Sequence, residues 1–167
     1  TTKATEGMVV KTDSERLRQY RKMTLELLFA ERNHVCAICV ANGHCELQDL
    51  AYKYGVKESS FKGEQHHYPV DDPNPFIYRD YNKCILCRRC IQTCDQIQGV
   101  SGLRIKGRGY DSVVGAPFDT PLGHALCVNC GQCINRCPTG ALTEKTQIPE
   151  VWAALEDPNT FTVVQEL

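Results

Sequence analysis

Between residues 12 and 31 the chain is polar except where Leu17, Tyr20, Thr24, Leu27 and Leu28 recur at helical spacing. Thr12 with Glu15 three residues on matches a capping box, so the pattern predicts an amphipathic helix whose stripe packs on a core. Residues 46–54 place Leu47, Leu50 and Ala51 on one face, with Gly55 where a helix C-cap sits, and predict a second helix. From 56 to 75 the chain turns polar and proline-bearing, including His66, His67 and PVDDPNP, as a connector between two subdomains would. Beyond it the pattern predicts a strand at 76–79, a helix from Cys84 to about Gln98 and a hairpin of 103–106 with 111–114 around Gly107 and Gly109. A short helix after Cys127 and a strand at 141–145 follow. The tail predicts a helix from Ile148 carrying Val151, Trp152 and Leu155, then an apolar strand at 161–164 with no partner in view.

Composition narrows the class. The 167 residues carry 20 acidic and 19 basic side chains, a net charge of −1, which allows one domain or two small ones. That balance gives no electrostatic case for nucleic acid or an anionic membrane. The mean hydropathy is −0.35 and no run approaches the ~18 apolar residues of a membrane span. No basic stretch followed by an apolar one marks a secretory leader, so a cytoplasmic protein is expected. Eleven cysteines are an odd number, and a pure disulfide framework would leave one thiol over.

The cysteines fall into three groups: Cys36, Cys39 and Cys45; Cys84, Cys87, Cys90 and Cys94; Cys127, Cys130, Cys133 and Cys137. The last two share C-x2-C-x2-C-x3-C with every member displaced by 43 positions, an internal repeat. Such a run brings thiolates onto a tight loop and a first helical turn, close enough to hold an iron–sulfide cubane. In two-cluster ferredoxins the fourth Cys of each run ligates the other cluster. Applied here, Cys84, Cys87, Cys90 and Cys137 hold one [4Fe–4S] cluster, and Cys94, Cys127, Cys130 and Cys133 another. Pro138 follows Cys137 as in the bacterial motif, whereas Asp95 follows Cys94. A pair of zinc sites is the alternative, although zinc motifs separate their C-x2-C halves more widely.

The first group supplies three thiolates where a cubane needs four ligands, so a histidine is called for. His34 stands two residues before Cys36, after the end of the first helix; His44 precedes Cys45 in an Asn42-Gly43 turn that points outward. His34 is the expected ligand, and a zinc held by three Cys and one His the alternative. His66 and His67 read as solvated, and His124 as structural. Lys83, Arg88, Arg89 and Arg136 flank the thiolate runs, as surface charges or as moderators of cluster charge. Gly107 and Gly109 do not make a G-x-G-x-x-G loop, and no catalytic dyad stands out.

The stretches ERNHVCAICVANGHCELQDL, NKCILCRRCIQTCDQIQGV and CVNCGQCINRCPTGAL resemble the iron–sulfur arm of NAD-linked hydrogenases, some of them electron-bifurcating. The same arm occurs in NAD-dependent formate dehydrogenases and in the large iron–sulfur subunit of respiratory complex I. The resemblance covers essentially the whole chain and implies an α+β fold: a helical subdomain with a His/Cys3 [4Fe–4S] cluster over 12–72, then a two-[4Fe–4S] bacterial-ferredoxin-like domain over 73–147. Residues 1–11 then resemble the stub of a plant-type [2Fe–2S] domain, and 148–167 form a tail similar to the segment leading into the catalytic domain of bifurcating [FeFe]-hydrogenases. Many members place the histidine ligand four residues before the first Cys, where this chain has Arg32; diaphorase small subunits share NHVC, which carries the role to His34. The implied function is relay of single electrons through three [4Fe–4S] clusters, with no complete catalytic site in this chain. The implied partners are a flavin subunit with FMN and NAD(H), a thioredoxin-like [2Fe–2S] subunit, and hydrogenase small and large subunits or an [FeFe] catalytic domain. Formate dehydrogenase, a complex I-like enzyme, a truncated [FeFe]-hydrogenase subunit and a non-redox zinc module remain alternatives.

Overall fold

A helix starts where a side chain can satisfy its first amides. In a computed structural model describing residues 2–63, 67–70 and 73–163, that side chain is Ser14. Its hydroxyl accepts from the Leu17 amide at 3.3 Å and opens α1 (Glu15–Glu31). The expected Thr12–Glu15 capping box therefore does not close the helix, because Thr12 lies outside it. Asp13 instead receives Arg18 Nε at 2.9 Å, and this bond holds its carboxyl below the usual range. The expected stripe also shifts: Leu25 is the buried position of α1, while Tyr20 and Leu27 are nearly half exposed. α2 (Glu46–Tyr54) forms as expected and packs against α1, burying Leu47, Gln48 and Ala51. Gly55 ends it at φ 63°, its amide donating to the carbonyls of Ala51 and Tyr52.

The chain divides into two compact units. The first comprises Thr1–Pro69, Asn82–Cys87 and Pro138–Ala141, and holds α1 and α2. The second comprises Val70–Tyr81, Arg88–Cys137 and Leu142–Leu167. In it β1 (Ile77–Arg79) pairs antiparallel with β4 (Leu142–Glu144), Tyr78 opposite Thr143. The predicted hairpin forms from β2 (Arg104–Lys106) and β3 (Val113–Gly115), Ile105 opposite Val114. α3 (Arg89–Gln92), the π-helical turn Thr93–Ile97 and α4 (Gln132–Arg136) pack on one another around Ile77, Leu103, Val114, Leu122 and Leu142.

The helix expected from Cys84 begins only at Arg89. Leu86 at φ 54° and Arg88 at φ 63° occupy the left-handed region, which an α-helix cannot contain. Displaced by the repeat, the same positions are Asn129 at φ 55° and Gly131 at φ 70°, so the sequence repeat is also a repeat of backbone conformation. α5 (Ile148–Glu156) forms as predicted but leaves Ile148, Val151, Trp152 and Leu155 more than half exposed. Residues 161–163 form no strand, and Val164, like His66, lies outside the described residues. No helix among the described residues is long and apolar enough to cross a membrane.

Candidate metal centres

In the first unit Cys36, Cys39 and Cys45 line one recess with about 360 Å³ of empty space, part of it open solvent. The 3-10 turn Cys36–Ile38 carries the first thiol, and Cys45 caps α2 at its N-terminus, where the helix favours negative charge. Gln48 on α2, buried, fixes the five-residue spacer between Cys39 and Cys45: its Oε1 accepts from the Gly43 amide and its Nε2 donates to Asn42 Oδ1, both at 2.8 Å. His34 lines the same recess, its Nε2 buried and its ring edge-on to Phe29 at 5.4 Å. His44 is exposed and does not line it. Lys83, Thr139 and Gly140 close the far wall, tied by the Thr139 hydroxyl donating to the Lys83 carbonyl at 2.8 Å. Burial pushes the Cys36 thiol up, and the neighbouring Cys45 and Cys39 push it the same way.

In the second unit Cys94, Cys127, Cys130 and Cys133 line a recess with about 400 Å³ of empty space. Cys94 comes from the π-helical turn after α3, whereas the other three come from the second run. The walls are apolar, from Ile77, Leu103, Leu122 and Leu126. The Gly102 amide donates to Cys94 Sγ at 3.2 Å, and a Cβ at Gly102 would lie 2.4 Å from the Leu126 carbonyl oxygen. Burial, with Cys127 and Cys130 adding to it, pushes Cys133 up to about 11.

The remaining thiols are divided: Cys84 and Cys87 belong to the first unit, Cys90 and Cys137 to the second. Cys84 Sγ accepts from the Leu86 amide at 3.4 Å, Cys90 is buried in α3 and Cys137 ends α4. His67 and His124 are exposed. Sequence reasoning passed over Gln48, Asn74, Thr139 and Gly140. Only Asn74, between two prolines, carried a local signal, and that signal read as a turn.

The donor sets suit a soft metal with several atoms. Three Cys with one His, and four Cys, each around an open recess, fit iron–sulfur ligation.

Residues 21–60 match the NADH-ubiquinone oxidoreductase-G iron–sulfur binding region, and residues 74–143 the ferredoxin-like domain of NADH-quinone oxidoreductase subunit 3. The chain is 43% identical to the NADP-reducing hydrogenase subunit HndD of Solidesulfovibrio fructosivorans, over 98% of this chain and 28% of that subunit. It is 37% identical to the mitochondrial 78 kDa subunit of NADH-ubiquinone oxidoreductase of Neurospora crassa, over 83% of this chain and 18% of the relative. A solved NAD+-reducing [NiFe]-hydrogenase in the H2-reduced state superimposes with a TM-score of 0.80 at 36% identity, over 86% of this chain and 62% of that one. The chain thus spans less than a third of the length of these two curated relatives. Residues 21–60 and 74–143 thus carry, in order, the two iron–sulfur regions of NADH-ubiquinone and NADH-quinone oxidoreductases, and the chain is similar to segments of NAD(P)-linked hydrogenase subunits that share them.

Proposed function

We propose that this chain relays single electrons through three [4Fe–4S] centres between a flavin-bearing NAD(H) subunit and a hydrogen-activating centre. The observation that carries it is the meeting of Cys94, from the first run, with Cys127, Cys130 and Cys133, from the second, around one recess. That exchange of fourth ligands is the signature of a two-cluster ferredoxin. By the same rule Cys84, Cys87 and Cys90 take Cys137. His34, Cys36, Cys39 and Cys45 form the third set, supported by the shared recess and by the exposure of His44.

A [4Fe–4S] centre takes up and returns one electron without breaking a bond, so the chain needs no acid, base or nucleophile of its own. Its residues supply binding and insulation: thiolates and one imidazole hold the metal, and Ile77, Leu103 and Leu122 keep water from the second-unit recess. The hydrogenase reading is supported over a quinone-reducing one by coverage. The hydrogenase relative matches 98% of the chain, which takes in α5, whereas the ubiquinone oxidoreductase relative matches 83%.

Anaerobic purification followed by iron and acid-labile sulfide analysis tests the reading, with about twelve irons per chain expected from three cubanes. Zinc as the main metal would replace it with an interaction module. Co-purification with a flavin subunit and a hydrogen-activating subunit supports the hydrogenase assignment, and a formate- or quinone-linked partner in their place overturns it.

A further inference from the structure

Asn74 stands in Pro73-Asn74-Pro75, a stretch whose composition reads as linker, yet it is only 1% exposed. A buried primary amide is tolerated when its donors and acceptors are met. Asn74 Oδ1 accepts from the Phe76 amide at 2.9 Å and the Ile77 amide at 2.8 Å, so its carbonyl end opens β1. Its Nδ2 donates to Asn129 Oδ1 at 2.8 Å and lies 3.9 Å from Cys127 Sγ. The backbone around it is fixed as well. A Cβ at Gly123 would lie 2.4 Å from the Pro73 carbonyl oxygen and 2.9 Å from the Asn74 nitrogen, so the turn that leads to Cys127 closes directly on residues 73 and 74. Asn129 holds the left-handed position of its run, which asparagine tolerates. Its repeat counterpart, Leu86, has no side-chain amide to offer.

We propose that Asn74 is a positioning residue that raises the reduction potential of the centre held by Cys94, Cys127, Cys130 and Cys133, by holding an amide N–H toward the Cys127 sulfur. The inference rests on the relay reading. Reduction adds one electron and no proton, and the added charge spreads onto the cysteine sulfurs. A fixed N–H dipole aimed at a sulfur stabilises the reduced state more than the oxidised one, and hydrogen bonds to sulfur are among the determinants of cluster potential. Burial strengthens the effect by lowering the local dielectric. The Gly102 amide does the same for Cys94 from the backbone, where no side-chain exchange can remove it. Asn74 is the contributor that a substitution can switch off.

Asn74→Asp keeps an oxygen for the Phe76 and Ile77 amides and removes the donor; Asn74→Ser removes the amide donor without adding charge. Both are made in the full chain, loaded anaerobically, and followed by redox titration with electron paramagnetic resonance. The expected result is full iron in the variants and one midpoint lowered by about 59 mV, a tenfold fall in the ratio of reduced to oxidised centre at fixed potential for one electron. The other two midpoints stay in place, and the shift in Asn74→Ser has the same sign. Three unmoved midpoints with full iron overturn the proposal. So does loss of one centre's iron in both variants, since Asn74 would then hold the loop and not set the potential; if only Asn74→Asp fails to load, Asn74→Ser decides. A wild-type chain without any [4Fe–4S] signal overturns the relay reading itself, before a variant is made.

Discussion

Gly140→Ala should weaken iron binding at the recess that His34, Cys36, Cys39 and Cys45 line more than it destabilises the metal-free chain. A Cβ at Gly140 would lie 3.0 Å from Cys39 Sγ and 3.1 Å from the Ala41 Cβ. Comfortable separations run from ~3.5 to 4.0 Å, so about half an ångström must be found. Without metal, Cys39 relieves its share by turning its thiol, the free end of a short side chain, and only the Ala41 contact is left for the backbone to absorb. With iron bound the sulfur is pinned, and the strain falls on the metal–sulfur bond and on the backbone at Ala41. Overpacking of this kind costs about 1–3 kcal/mol, which corresponds to roughly 5- to 150-fold in an equilibrium. The assay is loss of iron to a ferrous chelator from the loaded chain, with thermal unfolding of the metal-free chain beside it. Gly140→Ala should lose about four of twelve irons more readily and unfold only slightly below the wild-type temperature when metal-free. Gly63→Ala is the contrast, because its Cβ would meet the Ala30 carbonyl oxygen at 2.1 Å, a backbone atom that cannot turn away. That variant should destabilise both forms. Iron retention by Gly140→Ala equal to wild type would refute the reasoning.

Two further substitutions probe the first unit. His34→Ala should remove or alter one centre and spare the two held by the repeated runs, with His44→Ala silent; spectra that change only in His44→Ala reverse the ligand choice. Ser14→Ala removes the oxygen that accepts from Leu17 and should cost about 1 kcal/mol, read as a lower urea midpoint, whereas Thr12→Ala should leave the midpoint in place.

The cysteine repeat was legible because residue type and spacing recur directly along the chain, and the same displacement reappears in the left-handed positions 86 and 129, and 88 and 131. α2 and the β2–β3 hairpin were legible because their stop signals, Gly55 and the glycines at 107 and 109, are local. Elements that depend on the site were harder. Leu86 and Arg88 carry no turn chemistry, so nothing local announces the left-handed backbone that delays α3 to Arg89. Asn74 matters through Cys127, 53 positions further on, and Gly140 through Cys39, more distant still. No window of neighbouring residues contains either pair.

The second unit is built from pieces too small to stand alone. Its strands have three residues each, α3 has four and α4 five. Isolated helices below ~12 residues and lone two-stranded hairpins are marginal in water. Two of the few buried apolar side chains that join these pieces, Cys90 and Cys133, are themselves expected ligands. Without iron Cys133 is a neutral buried thiol, because burial pushes it up to about 11 and Cys127 and Cys130 push it the same way, so it packs there but joins no other piece covalently. With iron the same crowding becomes a cross-link: Cys94 fixes the turn after α3 to the loop before α4, on which α3 already packs. Metal binding and folding of this unit should then be a single transition. Chelation of the loaded chain followed by hydrogen exchange should abolish protection in α3, α4 and β1 together. α1 and α2, with a serine cap, a glycine stop and their own contact, should keep measurable protection. Protection retained across α3 and α4 after complete iron removal would mean that the apolar contacts hold the unit by themselves and that ligation only occupies a finished fold.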